Sequence, residues 1–508
     1  MHDSAADPRL PQLRNRADHG SIPHQSEDHI LPVIGFVQPV TGREADKQQE
    51  SGLSIDKVVV SDEHCFLAGA LNTADHYPIR ELSVYDGKGA LLGTTTSVAR
   101  CRHTKIDTKF GSLPGFWAIV PLHRPAPANT KFILSVAADK ERWCLSDAAN
   151  VNTATLRNVA LDHLANAQYY GDPTAEVFFQ LDNGVGQSLI ELNCSIVTRI
   201  VDGGYRLRFG AQRASYLGTV IVCLYGKSEY LMLQAALFSQ CPGYDRYEFV
   251  YVSNSPELSD TLTSDAAIAN RIYGVDITLI LLPDNAGFGA ANNVAAAAAQ
   301  TDRLLFVNPD ILPRDPEWPQ HHAELLENLA PQQVTLFGTS LYYDNGSLMH
   351  GGMYIDIDGP FVIRDGKLIR RDVLRVEHYG KGAPAEGNAY RNSRPVPAVS
   401  GAFQSIDRAW FEKLNGFSRS YIFGHYEDVD LCLRSLQAGQ PAWLHDVPFW
   451  HLESKGSNQA AAHVGGRLVN RWLMTSTWGD LVKTELNGRN PARFRKIPLP
   501  RRRRASVT

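Results

Sequence analysis

Short apolar runs separated by turn-forming residues fill the chain from residue 53 to about residue 150. The turn between Tyr85 and Ala90 reads Asp-Gly-Lys-Gly, which is typical of a reversal between two strands. Strands at this spacing predict a small antiparallel β-sandwich. Its role is open between sugar binding, partner binding and packing or oligomerisation; we favour the last, because such folds host many functions. The runs are 57–60, 65–68, 82–85, 116–120 and 132–136.

Residues 151–215 mix two patterns. Apolar positions at helical spacing predict a helix over 156–167, whereas 176–181, 188–197 and 205–209 have the composition of strands. We therefore interpret this segment either as a connector or as the remainder of the β-rich domain. No catalytic motif is visible in it.

From residue 216 onwards, strand-like and helix-like patterns alternate. This order predicts an open, mostly parallel α/β sheet. Ligands of such sheets bind at the carboxyl ends of the strands. The predicted strands are 219–224, 248–252, 277–282 and 304–307, and the predicted helices between them are 228–240, 265–273 and 290–300.

Polar residues follow the predicted strands at the end where a ligand would bind. Gly287 and Gly289 precede a helix whose N-terminus could hold an anion, although an ordinary strand-to-helix turn also uses glycine. Asp310 closes an Asn-Pro-Asp tripeptide and could hold a hard divalent cation that neutralises a diphosphate. The same tripeptide is also a common turn opener. His451 could supply a second ligand.

Three carboxylates crowd the start of a helix predicted to begin near residue 427 and to end at Gly439. Asp430 is explained by the helix macrodipole and by pairing with Arg434 one turn later. Glu427 and Asp428 are less well explained in this way, because they stand side by side behind an aromatic, glycine-containing approach at 421–426. A carboxylate at such a junction can be fixed in position and still face a cleft, as a general base must.

Composition narrows the class of protein. The chain has 508 residues, 44% hydrophobic and 20% charged, with a net charge of -4, so we expect more than one domain and no nucleic-acid partner. Its seven cysteines include no C-x-x-C pair, and neither a zinc site nor a disulfide framework is expected. Because no apolar N-terminal signal or long apolar span is present in the sequence, we expect a cytoplasmic location.

Further motifs, Ser-Gly-Ala-Phe at 400–403 and Asn-Gly-Phe at 415–417, complete an ordered set that resembles the family 2 nucleotide-sugar glycosyltransferases of GT-A fold, especially bacterial rhamnosyltransferase-like members. The resemblance covers residues 217–457. It implies an α/β, Rossmann-like GT-A domain with a mostly parallel sheet, preceded by the smaller antiparallel, sandwich-like domain. The expected division is a mostly disordered arm (1–52), the β-rich domain (53–150), the segment 151–215, the GT-A domain (216–457), and a C-terminal helix with a basic tail (458–508).

The resemblance implies roles for single residues. Asp428 would be the general base of an inverting transfer, and Glu427 would orient the base or the acceptor. Asp310 and His451 would hold the cofactor, Mg or Mn, which stabilises the departing diphosphate. The donor site would comprise Tyr225, Asn254, Asn285, Gly287, Asn308 and Asp310, and the acceptor site Ser400, Gly401 and Phe403.

The function implied is transfer of a hexosyl or deoxyhexosyl group from a nucleotide-diphosphate sugar to a glycan or lipid-linked acceptor in surface polysaccharide assembly. Ser253 stands where the family has an aspartate that contacts the base, and Ser418 and Arg419 replace two acids. The alternative is a catalytically inactive sugar-nucleotide-binding or scaffold protein. A sugar nucleotidyltransferase is disfavoured. Such an enzyme usually needs a glycine-rich phosphate loop with a basic residue near the first strand, and residues 224–227 are too short a match to support one.

Two basic segments leave alternatives open. The insertion 356–394 is rich in Gly, Arg and Lys and is either a lid or acceptor loop or a solvated excursion. A helix is predicted over 465–486, and the tail after it, which includes 501–504, is strongly basic. This tail could hold the protein against anionic lipid at the inner face of the cytoplasmic membrane, or it could simply be solvated.

Overall fold

The computed structural model describes residues 52–486, apart from 72–78, 104–105, 107–112, 127–131, 139–140, 212, 214, 331–332, 365–366, 385–389, 391 and 453–459. The predicted N-terminal arm, except for Gly52, and the predicted basic tail lie outside the described residues. In the described part of the chain, a pair of sheets, a helical segment and a large mixed sheet follow one another.

Two sheets form the N-terminal region. Their strands are β1 (Leu53–Val60), β2 (His64–Leu71), β3 (Glu81–Tyr85), β4 (Leu91–Thr95), β5 (Ala99–Cys101), β6 (Gly115–Pro121), β7 (Phe132–Ala137), β8 (Glu141–Ser146) and β9 (Ala149–Asn150). One sheet has the order β5-β6-β2-β1-β9 and the other β4-β3-β7-β8. Neighbouring strands are antiparallel, as their spacing predicted, apart from β9, which joins β1 in parallel. Leu67, Val84 and Leu134 belong to a core that draws on both sheets.

A helical segment follows, where the sequence predicted strands over 176–181 and 188–197. It contains α1 (Thr153–Asn166), α2 (Pro173–Gln180), a π-helical turn (Leu181–Val185) and α3 (Gly186–Asp202). Both strand predictions are wrong for identifiable reasons. Asp172 caps α2 by accepting a hydrogen bond from the Ala175 amide (2.9 Å). In α3 the buried residues Leu189, Asn193, Ile196 and Ile200 recur with the helical period rather than the alternation of a strand.

The large sheet and its helices occupy the rest of the described chain. The first half contains β10 (Tyr205–Phe209), β11 (Gly218–Leu224), α4 (Glu229–Phe238), β12 (Tyr247–Ser253), α5 (Ser259–Tyr273), β13 (Ile277–Leu281), α6 (Phe288–Ala298), β14 (Arg303–Val307), β15 (Ile311–Pro313) and α7 (Trp318–Leu329). The second half contains β16 (Leu336–Tyr342), β17 (Leu348–His350), β18 (Met353–Asp358), β19 (Phe361–Arg364), β20 (Lys367–Arg370), β21 (Val373–His378), β22 (Arg394–Val396), β23 (Phe403–Asp407), α8 (Arg408–Lys413), α9 (Glu427–Gln437), β24 (Ala442–His451), α10 (Ala461–Leu481) and a π-helical turn (Val482–Leu486).

The sheet is mixed, whereas the sequence predicted a mostly parallel one. Its strand order is β10-β13-β12-β11-β14-β23-β16-β24-β15, with β17 on β16 and β22 on β24. The four strands β11 to β14 are parallel, as their alternation with helices predicted. The strands that flank these four, β10 and β23, join antiparallel. Strand–helix alternation is what makes neighbouring strands parallel, and it is not maintained after β14.

The insertion predicted over 356–394 contains regular structure in its described part. β18 pairs with β21, and β19 pairs with β20, each as an antiparallel two-stranded sheet. The segment is therefore more than a simple loop.

Helix α10 crosses α1 at very short range. A Cβ atom at Gly465 would lie 2.1 Å from the carbonyl oxygen of Leu161, so only glycine permits this approach. The crossing brings the helical segment before the large sheet against the helix that follows it. Neither α10 nor any other helix of the described chain has the length and hydropathy needed to cross a membrane.

Candidate functional site

Asp310 and His451 meet at the carboxyl end of β14. Asn308 to Asp310 follow that strand directly, and β15 then pairs antiparallel with β24, which sets Ile311 opposite His451. As a result, His451 Nε2 lies 3.4 Å from Asp310 Oδ1, with 8% and 15% of the two side chains exposed. The two residues predicted to share a cation are therefore neighbours, although they are far apart in the sequence.

These two side chains suit a divalent cation only if other ligands complete its shell. A carboxylate oxygen and an imidazole nitrogen are both ordinary metal ligands. The second ring nitrogen of His451, Nδ1, is buried and has no hydrogen-bond partner. Within the described residues, however, no group of three or more His, Cys, Asp and Glu side chains is arranged to hold a metal ion. A cation here would need further oxygen ligands besides these two side chains.

The turn of residues 285–287 is built around Asn254. The Asn254 side chain accepts a hydrogen bond from the Ala286 amide (3.1 Å) and donates one to the carbonyl of Gly287 (3.2 Å). Asn285 Oδ1 accepts from the Gly287 amide (2.8 Å). Asn254 is only 2% exposed, so its side chain shapes this turn; its predicted contact with a nucleotide stays a prediction.

Gly287 brings this turn against residues 421–426, which we name the approach loop. Gly287 has a φ of +83°, and a Cβ atom there would lie 3.0 Å from the carbonyl oxygen of Phe423. That carbonyl accepts a hydrogen bond from the Phe288 amide (2.6 Å). The predicted glycine thus serves a close backbone approach between two loops.

The approach loop is strained and is held by one buried side chain. Phe423, His425 and Tyr426 all have positive φ angles, of 60°, 82° and 77°. Asn470 on α10 accepts a hydrogen bond from the Ile422 amide (2.7 Å) and donates to the carbonyls of Ile422 (2.9 Å) and Gly424 (2.7 Å). The sequence analysis missed Asn470; the available signal was an asparagine in the middle of a predicted helix, where such a side chain competes with helical bonding.

Glu427 and Asp428, which we name the carboxylate pair, begin α9 directly after this loop. Asp428 accepts hydrogen bonds from the backbone amides of Gly401 (2.7 Å) and Val429 (2.8 Å). Glu427 is 5% exposed, and its Oε2 atom has no hydrogen-bond partner. No Lys, Arg or His of the described chain forms an ion pair with either residue. Two adjacent carboxylates are therefore held without a counter-charge.

This environment changes the protonation of the carboxylate pair. Burial, and then the charge of Asp428, raise the pKa of Glu427 to about 8. Burial also raises the pKa of Asp428, although the hydrogen bonds from Gly401 and Val429 oppose that rise. With its pKa at about 8, Glu427 holds a proton at neutral pH, which reduces the repulsion between the two carboxyl groups.

Asp430 is different and has a structural role. It accepts hydrogen bonds from Arg434 Nε (2.8 Å) and Trp478 Nε1 (2.9 Å). The predicted pairing of Asp430 with Arg434 is confirmed. Of the three carboxylates at the start of α9, only the carboxylate pair is left for chemistry.

The predicted acceptor residues have unequal positions. A Cβ atom at Gly401 would lie 3.0 Å from Asp428 Cβ, so glycine is needed beside the carboxylate pair. Ser400 is 8% exposed, and its hydroxyl accepts a hydrogen bond from the Ala402 amide (3.2 Å). Phe403 is 3% exposed, with its ring centroid 4.8 Å from that of Phe449, a position that suits core packing.

Tyr225 follows β11 and is 39% exposed. Its hydroxyl lies 3.4 Å from Nε2 of His463, on α10. No role was predicted for His463, or for Arg157, whose guanidinium carbon lies 4.4 Å from the ring centroid of Phe423 in the approach loop. Both residues stand outside the stretch that carries the family motifs, and no local pattern marks them.

Comparison with known proteins gives distant similarities. No family model matches the chain. The uncharacterised protein y4gI of Sinorhizobium fredii (strain NBRC 101917 / NGR234) is 27% identical over 216 residues, which are 42% of this chain but only 22% of that protein. The chain therefore spans about a fifth of the length of this relative.

Two solved structures are similar at low scores. The crystal structure of GalNAc-T7 with UDP, GalNAc and Mn2+ has a TM-score of 0.35 and 12% identity, and covers 51% of this chain and 48% of that chain. The mannosyltransferase PcManGT from Pyrobaculum calidifontis, in complex with GDP-Man and Mn2+, has a TM-score of 0.34 and 15% identity, and covers 65% and 88%. TM-scores this low do not establish a shared function.

Proposed function

We propose that the protein is an inverting glycosyltransferase that moves a sugar from a nucleoside diphosphate donor to a hydroxyl of a glycan or lipid-linked acceptor. The observation that carries the proposal is a pair of hydrogen bonds. Asp428 accepts one from the Gly401 amide (2.7 Å), and the carbonyl of the next residue, Ala402, accepts the other from the Asn308 amide (2.9 Å). They join a carboxylate that lacks a counter-charge to the segment that carries Asp310.

In the proposed reaction, Asp428 removes the proton from the acceptor hydroxyl while the hydroxyl oxygen attacks the anomeric carbon of the donor sugar. A bond forms between this oxygen and the anomeric carbon as the bond from that carbon to the diphosphate breaks, so the configuration inverts. Asp428 keeps the proton, and the nucleoside diphosphate leaves with the bonding electron pair. A divalent cation between Asp310 and His451 would neutralise charge on the diphosphate.

Ser253, which replaces the aspartate of the family pattern, is 1% exposed, and its hydroxyl donates a hydrogen bond to the carbonyl of Ser255 (3.3 Å) and accepts one from its amide (3.2 Å). An acidic contact to the base is therefore not supplied at this position. Surface polysaccharide assembly at the inner face of the cytoplasmic membrane belongs to the same proposal and follows from the motif resemblance.

The test is calorimetric binding of UDP, dTDP and GDP, with and without Mn2+, to the wild type and to Asp310→Ala. Release of nucleoside diphosphate from the matching nucleotide sugars, with water as a slow acceptor, measures turnover. We expect one nucleotide to bind in a metal-dependent way, and Asp310→Ala to abolish that binding. Binding without any turnover would favour the inactive sugar-nucleotide-binding alternative. Well-folded protein that binds none of the three would contradict the donor site.

A further inference from the structure

Arg157 is a buried cation that forms no ion pair with a carboxylate of the described chain. It belongs to α1, and its side chain is 3% exposed. Its hydrogen bonds go to the neutral side chains of Asn193 (Nη1 to Oδ1, 2.9 Å) and Asn158 (Nε to Oδ1, 3.2 Å), and no described carboxylate forms an ion pair with it. Its guanidinium carbon lies 4.4 Å from the ring centroid of Phe423, in the approach loop.

Burying a charged guanidinium lowers the stability of the native state unless other groups in that state offset the lost hydration. Burial lowers the pKa of Arg157 to about 10, which still leaves the guanidinium charged at neutral pH. An uncompensated buried charge destabilises a fold, and amide oxygens and one aromatic face offset only part of that cost. A bound anion would offset the rest. Asp284 is near enough to raise the pKa of Arg157 but forms no ion pair with it, so the buried charge is only partly offset.

The position of Arg157 identifies the edge of the sheet where an anion would lie. Asp284 follows β13 and Tyr225 follows β11, and both are close enough to oppose the lowered pKa of Arg157. The guanidinium is therefore near the carboxyl ends of the parallel strands, where ligands of such sheets bind.

A second helix, α10, brings an imidazole to the same loop. The His463 ring stacks on Phe423, with centroids 4.4 Å apart and planes at 16°. The charges of Arg157 and Arg467, together with burial as the largest cause, lower the pKa of His463. The Arg157 guanidinium and the His463 ring thus both lie against Phe423, and they come from α1 and α10 rather than from the sheet.

We propose that Arg157 is a donor-binding residue that contacts the diphosphate of a nucleoside diphosphate. This inference rests on the proposed function for the identity of the ligand. A diphosphate carries several negative charges and acceptor oxygens, which a guanidinium binds through charge-assisted hydrogen bonds. The helical segment 151–215, to which the sequence assigned no chemistry, then completes the donor site.

Arg303 provides a matched control. It is half-buried, with a pKa that burial lowers to about 10, and its guanidinium carbon lies 5.6 Å from the ring centroid of Phe337. It begins β14 and therefore lies at the amino end of the same parallel strands, the edge opposite the proposed donor site. Replacing Arg303 removes a cation whose pKa is lowered to the same extent, at the edge of the sheet away from the proposed donor site.

The experiment is calorimetric titration of the full chain with UDP, dTDP, GDP, the matching nucleosides and inorganic pyrophosphate. The proteins are the wild type, Arg157→Met, Arg157→Lys and Arg303→Met, each with its thermal unfolding midpoint measured. For the nucleotide that binds wild type, we expect Arg157→Met to weaken affinity roughly 10- to 100-fold, the worth of charged hydrogen bonds. Nucleoside affinity should be unchanged, and Arg303→Met should bind as wild type does.

Other outcomes separate this inference from the proposed function. Wild-type affinity for the nucleotide in Arg157→Met would overturn the inference and leave the proposed function standing. Binding of pyrophosphate but of no nucleotide, lost in Arg157→Met, would support an anion site and contradict the proposed function. If Arg157→Met does not fold, Arg157→Lys decides, because it keeps the charge but loses the planar fork: an affinity equal to wild type would overturn a direct guanidinium contact.

Discussion

Two buried glutamates, one at each edge of the parallel strands, have opposite surroundings. At the amino edge, Glu248 is 1% exposed, and its Oε2 accepts hydrogen bonds from Thr219 Oγ1 (2.8 Å) and the Gln300 amide (3.0 Å), with Arg208 3.9 Å from Oε1. At the carboxyl edge, Glu427 is 5% exposed, has no cation beside it, and stands next to Asp428.

The difference separates packing from chemistry. Glu248 has the environment of a structural group, because two donors bind its Oε2 atom and Arg208 lies 3.9 Å from its Oε1 atom. Glu427 has the environment of a functional group, because burial and like charge perturb its protonation. Ionisable groups that destabilise the native state persist where they serve a reaction or a ligand.

The carboxylate pair should give the largest effect. Asp428→Asn keeps the shape of the side chain but removes the base, so transfer should fall about 100- to 10,000-fold while nucleotide affinity stays as in wild type. Release of nucleoside diphosphate and calorimetric binding measure the two quantities. Asp480→Asn, an exposed carboxylate on α10, is the control. Undiminished release in Asp428→Asn would assign the base elsewhere.

The metal residues should give the next largest effect. Asp310→Asn removes the carboxylate that lies beside His451 in the described part of the chain, so affinity for Mn2+ in the presence of nucleotide should drop about 10- to 100-fold. Titration of activity against Mn2+ concentration checks this. Exposed Asp260→Asn should leave the titration unchanged. A metal response equal to wild type in Asp310→Asn would show that the cation binds at another place.

Glu427→Gln should change stability with pH more than it changes transfer. The pKa of Glu427 is raised from 4.5 to about 8 in the fold, so between these values the folded chain binds more protons than the unfolded chain. Its contribution to stability is therefore present at low pH and is lost as pH rises through this window, at up to about 1.4 kcal/mol per pH unit.

Denaturant unfolding at pH 5, 6, 7 and 8 measures this contribution. Glu427→Gln should lose less stability than wild type as the pH rises, because its amide does not ionise. Exposed Glu257→Gln should follow the wild-type curve. Parallel curves for wild type and Glu427→Gln would contradict the raised pKa.

The substitution at the amino edge, Glu248→Gln, should have the smallest effect on activity. Glu248→Gln weakens the contacts with Thr219 and Arg208, so the free energy of unfolding should fall by about 1–3 kcal/mol. Nucleotide affinity and the rate of transfer should be those of wild type at a temperature where the protein is folded. A loss of affinity as large as that of Asp310→Asn would remove the distinction between the two edges.

What could be predicted from the sequence depended on local patterns. The start of α9 at Glu427 followed from carboxylates before an apolar helical period, and β11 to β14 followed from alternation with helices. The neighbouring positions of Asp310 and His451 were suggested by their ligand chemistry and by the family resemblance but by no local pattern, because the pairing of β15 with β24 joins residues distant in the chain.

The rest depended on tertiary contacts. The apolar residues of α3 include enough β-branched side chains to resemble a strand, and only packing selects the helical period. Arg157 has no motif around it, and its importance appears only when α1 lies beside Phe423. Gly287 was chosen for an anion-binding turn, whereas the structure shows it accommodating the backbone of the approach loop.

The crossing of α1 and α10 at Gly465 bears on how this protein can be divided. One helix that precedes the large sheet in the chain and one that follows it meet where no side chain fits. They carry Arg157 and His463 to the same loop. A fragment limited to 216–457 would lose both helices and the clamp that Asn470 provides. The region 216–457 is therefore not a freestanding module, and recombination that exchanged it between proteins would have to transfer the flanking helices as a matched set.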